Sequence, residues 1–162
     1  MTSEQHNAPW LGDTQQVLAI QMLESHQRGF GCALIAGASL KLSRQRAAQE
    51  LFNCGFPVLA HDGADDPRLT YANAAALQLW ETSWAELIGL PSRLTAPETE
   101  RSERRTALSK AQARHAIQGY AGIRISRQGR RFQIRNARIW TLWDDHQQAC
   151  GQAASFSDWW WI

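Results

Sequence analysis

The chain has 162 residues, 44% of them hydrophobic and 20% charged, the balance of one globular domain and not of a disordered chain. Its formal net charge is +2, and its longest small-apolar run, Cys32–Ala38, falls far short of the roughly 20 residues that cross a bilayer. Eight tryptophans are the one unusual count; large, flat, amphipathic rings are wanted somewhere. The first residues lack a basic stretch followed by an apolar one, so no secretory signal is read. Cys32, Cys54 and Cys150 are an odd, scattered set that fits reduced thiols better than disulfides or a zinc site. The expectation is a cytoplasmic protein with no membrane partner.

In chain order, residues 1–12 read as a loose polar arm. Asp13, with Gln16 as its capping-box partner, opens a helix to about Gln27, broken by Gly29, Gly31 and Gly37. A second helix spans about Ser43–Asn53. Phe56–His61 reads as a buried strand, Asp62–Pro67 as a loop and Leu69–Tyr71 as the returning strand. Asn73 can cap a helix over Ala74–Glu81, and Ser83 with Glu86 opens a one-turn helix ending at Gly89. Thr95 and Glu98 open a long polar helix to about Gln118, whose inner stripe is Leu108, Ala111 and His115. A three-stranded meander follows: Tyr120–Ser126, Arg131–Trp143 and Ala149–Phe156. In its middle strand Asn136 and Arg138 interrupt the alternation, which predicts a bulge.

The near-neutral charge hides a division. Arg101–Arg138 holds eleven bases and one acid, a formal +10 against −8 for the rest. Such a segment is either a solvated surface paired with the acidic half or a face for an anionic partner or ligand.

Strand, strand, helices and meander is the element order of a PAS domain, and Val58–Gly63, Leu69–Trp80 and Ser83–Gly89 resemble PAS sequence. The chain more closely resembles the MEKHLA domain, a PAS-like family of bacterial proteins and of the C-termini of plant homeodomain-leucine zipper proteins. The resemblance rests on Asp66–Pro67, Tyr71–Asn73, Leu90–Thr95, Tyr120–Ser126, Gly129–Phe132, Ile139–Trp140 and Gly151–Phe156. Within those words stand Asn73, Ser92, Arg93, Tyr120, Gly122, Arg124, Gly129, Arg131 and Gly151. Thr141, where Asn is expected, and the Trp159–Trp161 end depart from the pattern. The resemblance implies an α+β, PAS-like fold: a five-stranded antiparallel sheet with helices on one face, plus two N-terminal helices. Residues 1–55 are the arm and helical lead-in, and residues 56–162 the core. It also implies a sensory, ligand-binding role without naming a ligand.

PAS folds hold ligands between sheet and helices, so the pocket is expected between the meander and residues 71–115. Its candidate lining is Tyr71, Trp80, Trp84, His115, Phe132, Trp140 and Gln152, with Trp143 a further ring on the same wall. His115 is the candidate axial ligand of a haem alternative. Phe52–Phe56 echoes the cysteine motif of flavin-binding PAS domains but lies before the first strand, so Cys54 reads as a packed helix-end residue and flavin chemistry is not expected. His61 reads as a turn residue. Trp159, Trp160 and Trp161 are expected to cover the sheet or a dimer partner. No nucleophile triad, P-loop, dinucleotide fingerprint or paired metal-ligand spacing occurs. The expectation is therefore a non-enzymatic module that binds an unidentified small molecule and acts on a protein partner or a second copy. Enzyme and single-stranded nucleic-acid binder are the alternatives, the latter disfavoured because the strand aromatics point inward.

Overall fold

A computed structural model describes residues 8–35 and 43–162; the start of the N-terminal arm and Gly37 lie outside them. Helix α1 spans Asp13–Phe30 and α2 spans Arg44–Asn53. Gly12, not Asp13, is the N-cap of α1, and the Gln16 amide donates instead to the Leu11 carbonyl (2.9 Å). The helix runs through Gly29, where a Cβ would lie 2.9 Å from the Ala116 Cβ, and stops at Gly31 in the left-handed region (φ 71°).

Strands β1 (Val58–Asp62) and β2 (Leu69–Ala72) form a hairpin. Short helices α3 (Ala74–Leu79) and α4 (Trp84–Leu87) follow, each capped as read, by Asn73 and Ser83. Two 3-10 turns, Ser92–Thr95 and Glu98–Glu100, delay the long helix, so α5 spans only Arg101–Arg114. It ends early because sheet pairing begins at once. Ala116 pairs with Trp140, and the Thr141 amide donates to the His115 carbonyl (2.8 Å).

Strands β3 (Ala116–Ile125), β4 (Arg131–Trp143) and β5 (Ala149–Ser155) make the meander. The antiparallel sheet has the order β2-β1-β5-β4-β3. A sixth strand, β6 (Asp158–Trp161), pairs with the first half of β4, whereas β5 pairs with the second half. β6 therefore prolongs the line of β5 after the break at Phe156 and Ser157. The expected five strands become six because the last one is split.

The predicted irregularity in β4 sits at Asn136, whose φ is 57°. Phe132, Ile134 and Ala137 face the inner cluster with α3 and α4, while Trp140 and Leu142 face the outer cluster with α1 and α2. The bulge thus flips the alternation, and two even-numbered residues end on opposite faces.

The sheet is one layer between two cores. Outside, Met22, Leu51, Val58, Tyr71, Trp140 and Ala153 pack together beneath α1 and α2. The N-terminal helices thus cover their own sheet. Inside, Leu59, Leu69, Leu79, Trp80, Phe132 and Phe156 pack with α3 and α4. Among the described residues, no helix is long and apolar enough to cross a membrane.

Candidate functional site

Two cross-strand rows on the inner face lay the floor of a chamber under α5. One is Leu59–Ala154–Ile139 and the other His61–Gln152, a row that continues past the chamber to Thr141. The chamber has a volume of about 60 Å³, and its walls add Leu69, Trp80, Leu108 and Phe156. That is room for about four or five water-sized groups.

The third wall comes from β3. Tyr120, Gly122 and Arg124 alternate, so they share the inner face, opposite Ala137, Ile134 and Phe132. The Arg124 guanidinium donates to the Tyr120 hydroxyl oxygen (3.2 Å) and to the Ile123 carbonyl (3.0 Å), and the Tyr120 hydroxyl donates to Glu103 on α5 (2.8 Å). Gly122 leaves space for this fold-over: a Cβ there would sit 2.5 Å from the Tyr120 Oη and 3.0 Å from an Arg124 nitrogen. Arg124 is only 6% exposed.

Arg104 enters the chamber from α5, one turn before Leu108. Burial first, and the Arg124 charge second, push its proton affinity down to about 10. A guanidinium still stays charged at neutral pH. The inner face of α5 was legible as the stripe Leu108, Ala111 and His115. Continued backward by four residues, that stripe reaches Arg104; continued forward, it leaves the helix.

His61 is 8% exposed. Its Nδ1 faces the Asp62 carbonyl oxygen at 2.8 Å, so Nδ1 carries the proton and donates. Its Nε2 is then a bare acceptor, buried without a partner among the described residues, as is the Thr141 Oγ1 in the same row. Burial lowers the His61 pKa, which keeps the ring neutral. His61 is a site residue that its place at the end of a strand had hidden.

Of the expected pocket residues, Trp80 and Gln152 line the chamber; the Trp80 indole donates to the Thr95 carbonyl (3.3 Å) and the Gln152 amide to the Leu108 carbonyl (2.9 Å). Phe132 lies on the inner face but packs against Trp80, Trp159 and Trp161. Tyr71, Trp84 and Trp140 belong to the outer core instead. Tyr71 pairs across the sheet with outward-facing Ala60, Trp84 meets Tyr71 and Phe52, and the Trp140 indole donates to the Met22 carbonyl (3.2 Å). Trp143 also sits outside the chamber, under the Arg28 guanidinium. His115 is corrected as well. It is the exposed, left-handed C-cap of α5 (φ 67°), set edge-on to Trp143, and its ring does not reach the chamber.

The other family-word residues are mainly architectural. Asn73 is buried and accepts from the amides of Val58 (2.9 Å) and Ala76 (3.0 Å) while donating to Phe56 (2.8 Å) and Leu51 (3.2 Å) carbonyls. Arg93 pairs with Asp66 (3.3 Å), and the adjacent Ser92 amide donates to the Pro67 carbonyl (2.8 Å). Gly129 turns the β3–β4 hairpin at φ 82°, with Arg131 exposed just after it. At Gly151 any Cβ would collide with the His61 carbonyl oxygen.

The family model described as MEKHLA domain matches residues 16–161. The fold is similar to an RNA-binding light-oxygen-voltage receptor, with a TM-score of 0.65 at 19% identity over 79% of this chain and 36% of that one. It is also similar to the PAS domain of a protein from Colwellia psychrerythraea (0.60, 15%, 70% and 94%). The LOV domain of a blue-light activated histidine kinase from Erythrobacter litoralis is a third such structure (0.55, 19%, 65% and 97%). This chain thus spans about a third of the receptor and nearly all of the other two chains. A search of curated proteins found no match.

The residues present suit neither flavin nor haem. No Cys lines the chamber, and Cys54 lies against Phe56 and Asn73 at the end of α2. A chamber of about 60 Å³ is well below the roughly 300–1,000 Å³ of pockets for larger ligands. Neither flavin nor haem finds the ring volume it needs here; flavin also lacks its photochemical thiol, and His115, the expected axial ligand, lies outside, while His61 is the imidazole that lines the chamber.

Proposed function

The chain belongs to the MEKHLA domain family, and we propose that it is a sensory module that binds a small molecule in the chamber beneath α5. Occupancy would alter how the sheet meets α1 and α2 and so bias contact with a protein partner or a second copy. One observation carries this reading: an apolar chamber holds the His61 Nε2, buried with no partner among the described residues, and the half-buried Arg104 guanidinium, which donates to no described residue. Filling such a chamber with plain structure needs no buried donors or acceptors. Unpaired Cys32, Cys54 and Cys150 suit the reducing cytoplasm, where we place it.

Native mass spectrometry and thermal melting against a small-molecule panel test the reading. A bound mass, or a saturable rise in melting temperature that is lost in Leu108→Trp, supports it. A bare protein that no compound stabilises would instead make this a structural interaction module.

A further inference from the structure

The chamber carries two positive charges and no negative one among its lining residues. Glu103, the nearest acid on α5, is exposed and engaged by the Tyr120 hydroxyl. Arg124 spends two of its five N–H donors, on Tyr120 and Ile123. Arg104 donates to no described residue, and the Arg124 charge disfavours its own. Two like charges against an apolar wall are costly unless an anion faces them.

There is also a way in. Outside the chamber an open groove of about 540 Å³ runs between α5 and the β1–β2 loop. His61, Arg104, Leu108 and Gln152 line both spaces and so form the throat. On the groove side Arg93, Arg101 and Arg105 stand against Asp65 and Asp66, the latter paired with Arg93, so the rim is basic on balance. An anion approaching from solvent thus passes a basic rim before reaching Arg104.

We propose that the ligand is a small organic carboxylate. Its carboxylate meets Arg104 and Arg124, and its short apolar body lies against Leu69, Ile134 and Ile139. The inference rests on the ligand-sensing reading above. The chamber's volume sets the size, a few heavy atoms. Its apolar walls favour a carboxylate carrying hydrocarbon over inorganic phosphate, which keeps a larger polar shell. A carboxylate also matches a planar guanidinium fork through paired hydrogen bonds.

Calorimetric titration and thermal melting of the full chain with butyrate test this, beside 1-butanol, butyramide and inorganic phosphate. Butyrate is expected to bind saturably and raise the melting temperature, and the other three are not. Arg104→Met and Arg124→Met each weaken butyrate at least about tenfold, whereas the exposed Arg114→Gln does not. Arg104→Met also raises the melting temperature of the ligand-free protein, because it removes an uncompensated charge. If either Met variant fails to fold, Arg104→Lys and Gly122→Ala replace it, the latter by pushing Tyr120 and Arg124 off their places; the same weakening is expected. Unchanged butyrate affinity in the arginine variants overturns the proposal. So does phosphate binding as tightly as butyrate with the same dependence on Arg104. Saturable binding of butyramide or butanol without butyrate overturns the carboxylate class but leaves ligand sensing standing. A wild-type chain that binds none of the four, carries no small molecule and answers to no compound in the wider panel removes both.

Discussion

Asn73 shows what one residue contributes beyond a local rule. Its capping of α3 was legible from position alone, between a strand and an apolar helix. Its other bonds were not, because Leu51, Phe56 and Val58 come from a helix end and a strand start that only the folded chain brings beside it. Replacing it by Ala leaves the Val58 amide and two carbonyls buried without their partner. Each such orphan costs about 1–3 kcal/mol, so Asn73→Ala should destabilise by about 3 kcal/mol or more, read as a lower urea midpoint with unchanged slope. A loss of only about 1 kcal/mol would mean that Asn73 acts as a helix cap alone. The site divides in the same way. Trp80, Gln152 and the Tyr120–Gly122–Arg124 alternation could be picked out from sequence, since their elements were read correctly. His61 and Arg104 could not, since their relevance depends on which polar atoms the finished fold leaves without partners. Trp140 lies on the face opposite the expected one for a geometric reason: the bulge at Asn136 reverses every side chain beyond it.

Helix α1 is fastened to the sheet by a histidine that must stay neutral. The His26 Nδ1 donates to the Cys32 carbonyl (3.0 Å), and its Nε2 accepts from the Arg138 guanidinium (3.1 Å). Both nitrogens are therefore assigned, and protonation would break the second bond and set two cations together. Burial first, and Arg138 as well, lower its pKa below the ordinary 6.5. The sign follows from proton counting. Below about pH 6.5 the unfolded chain takes up a proton that folded His26 refuses, so the unfolded state gains and stability falls as pH falls. Above that value both states are neutral and the stability is fully present. His61, also lowered by burial, adds to the same slope. Urea midpoints measured from about pH 7.5 down to about pH 5 should decline, and His26→Gln should flatten part of that decline. An unchanged slope in the variant would place the acid sensitivity elsewhere. The helices themselves were legible because their apolar faces repeat at helical spacing. Their seat was not, because nothing in a sequence says whether such a face meets its own sheet or a twin's.

At the scale of the molecule, the chamber and the N-terminal helices share one layer of backbone. Ile139 faces the chamber and its neighbour Trp140 faces α1; Ala154 and Ala153 divide in the same way. Anything that shifts β4 or β5 on one side repositions side chains on the other, since closely packed layers do not absorb displacement. The Trp140 indole bond to the Met22 carbonyl (3.2 Å) and the Trp143 amide bond to the Ser25 hydroxyl (3.1 Å) tie that motion to α1. A ligand held only by the folded form stabilises it by about 2.7 kcal/mol at a hundred times its Kd. Hydrogen exchange separates that uniform effect from transmission. Uniform stabilisation slows exchange everywhere that opens by global unfolding. Transmission changes α1 locally, through openings smaller than unfolding, while leaving the hairpin turn at Gly129 as it was. With saturating ligand we expect slower exchange in α5 and β5 and a distinct change in α1. Protection confined to α5 and β5, with α1 unaltered, would mean that occupancy is read from the α5 side, by a partner seated on the groove that leads to Arg104.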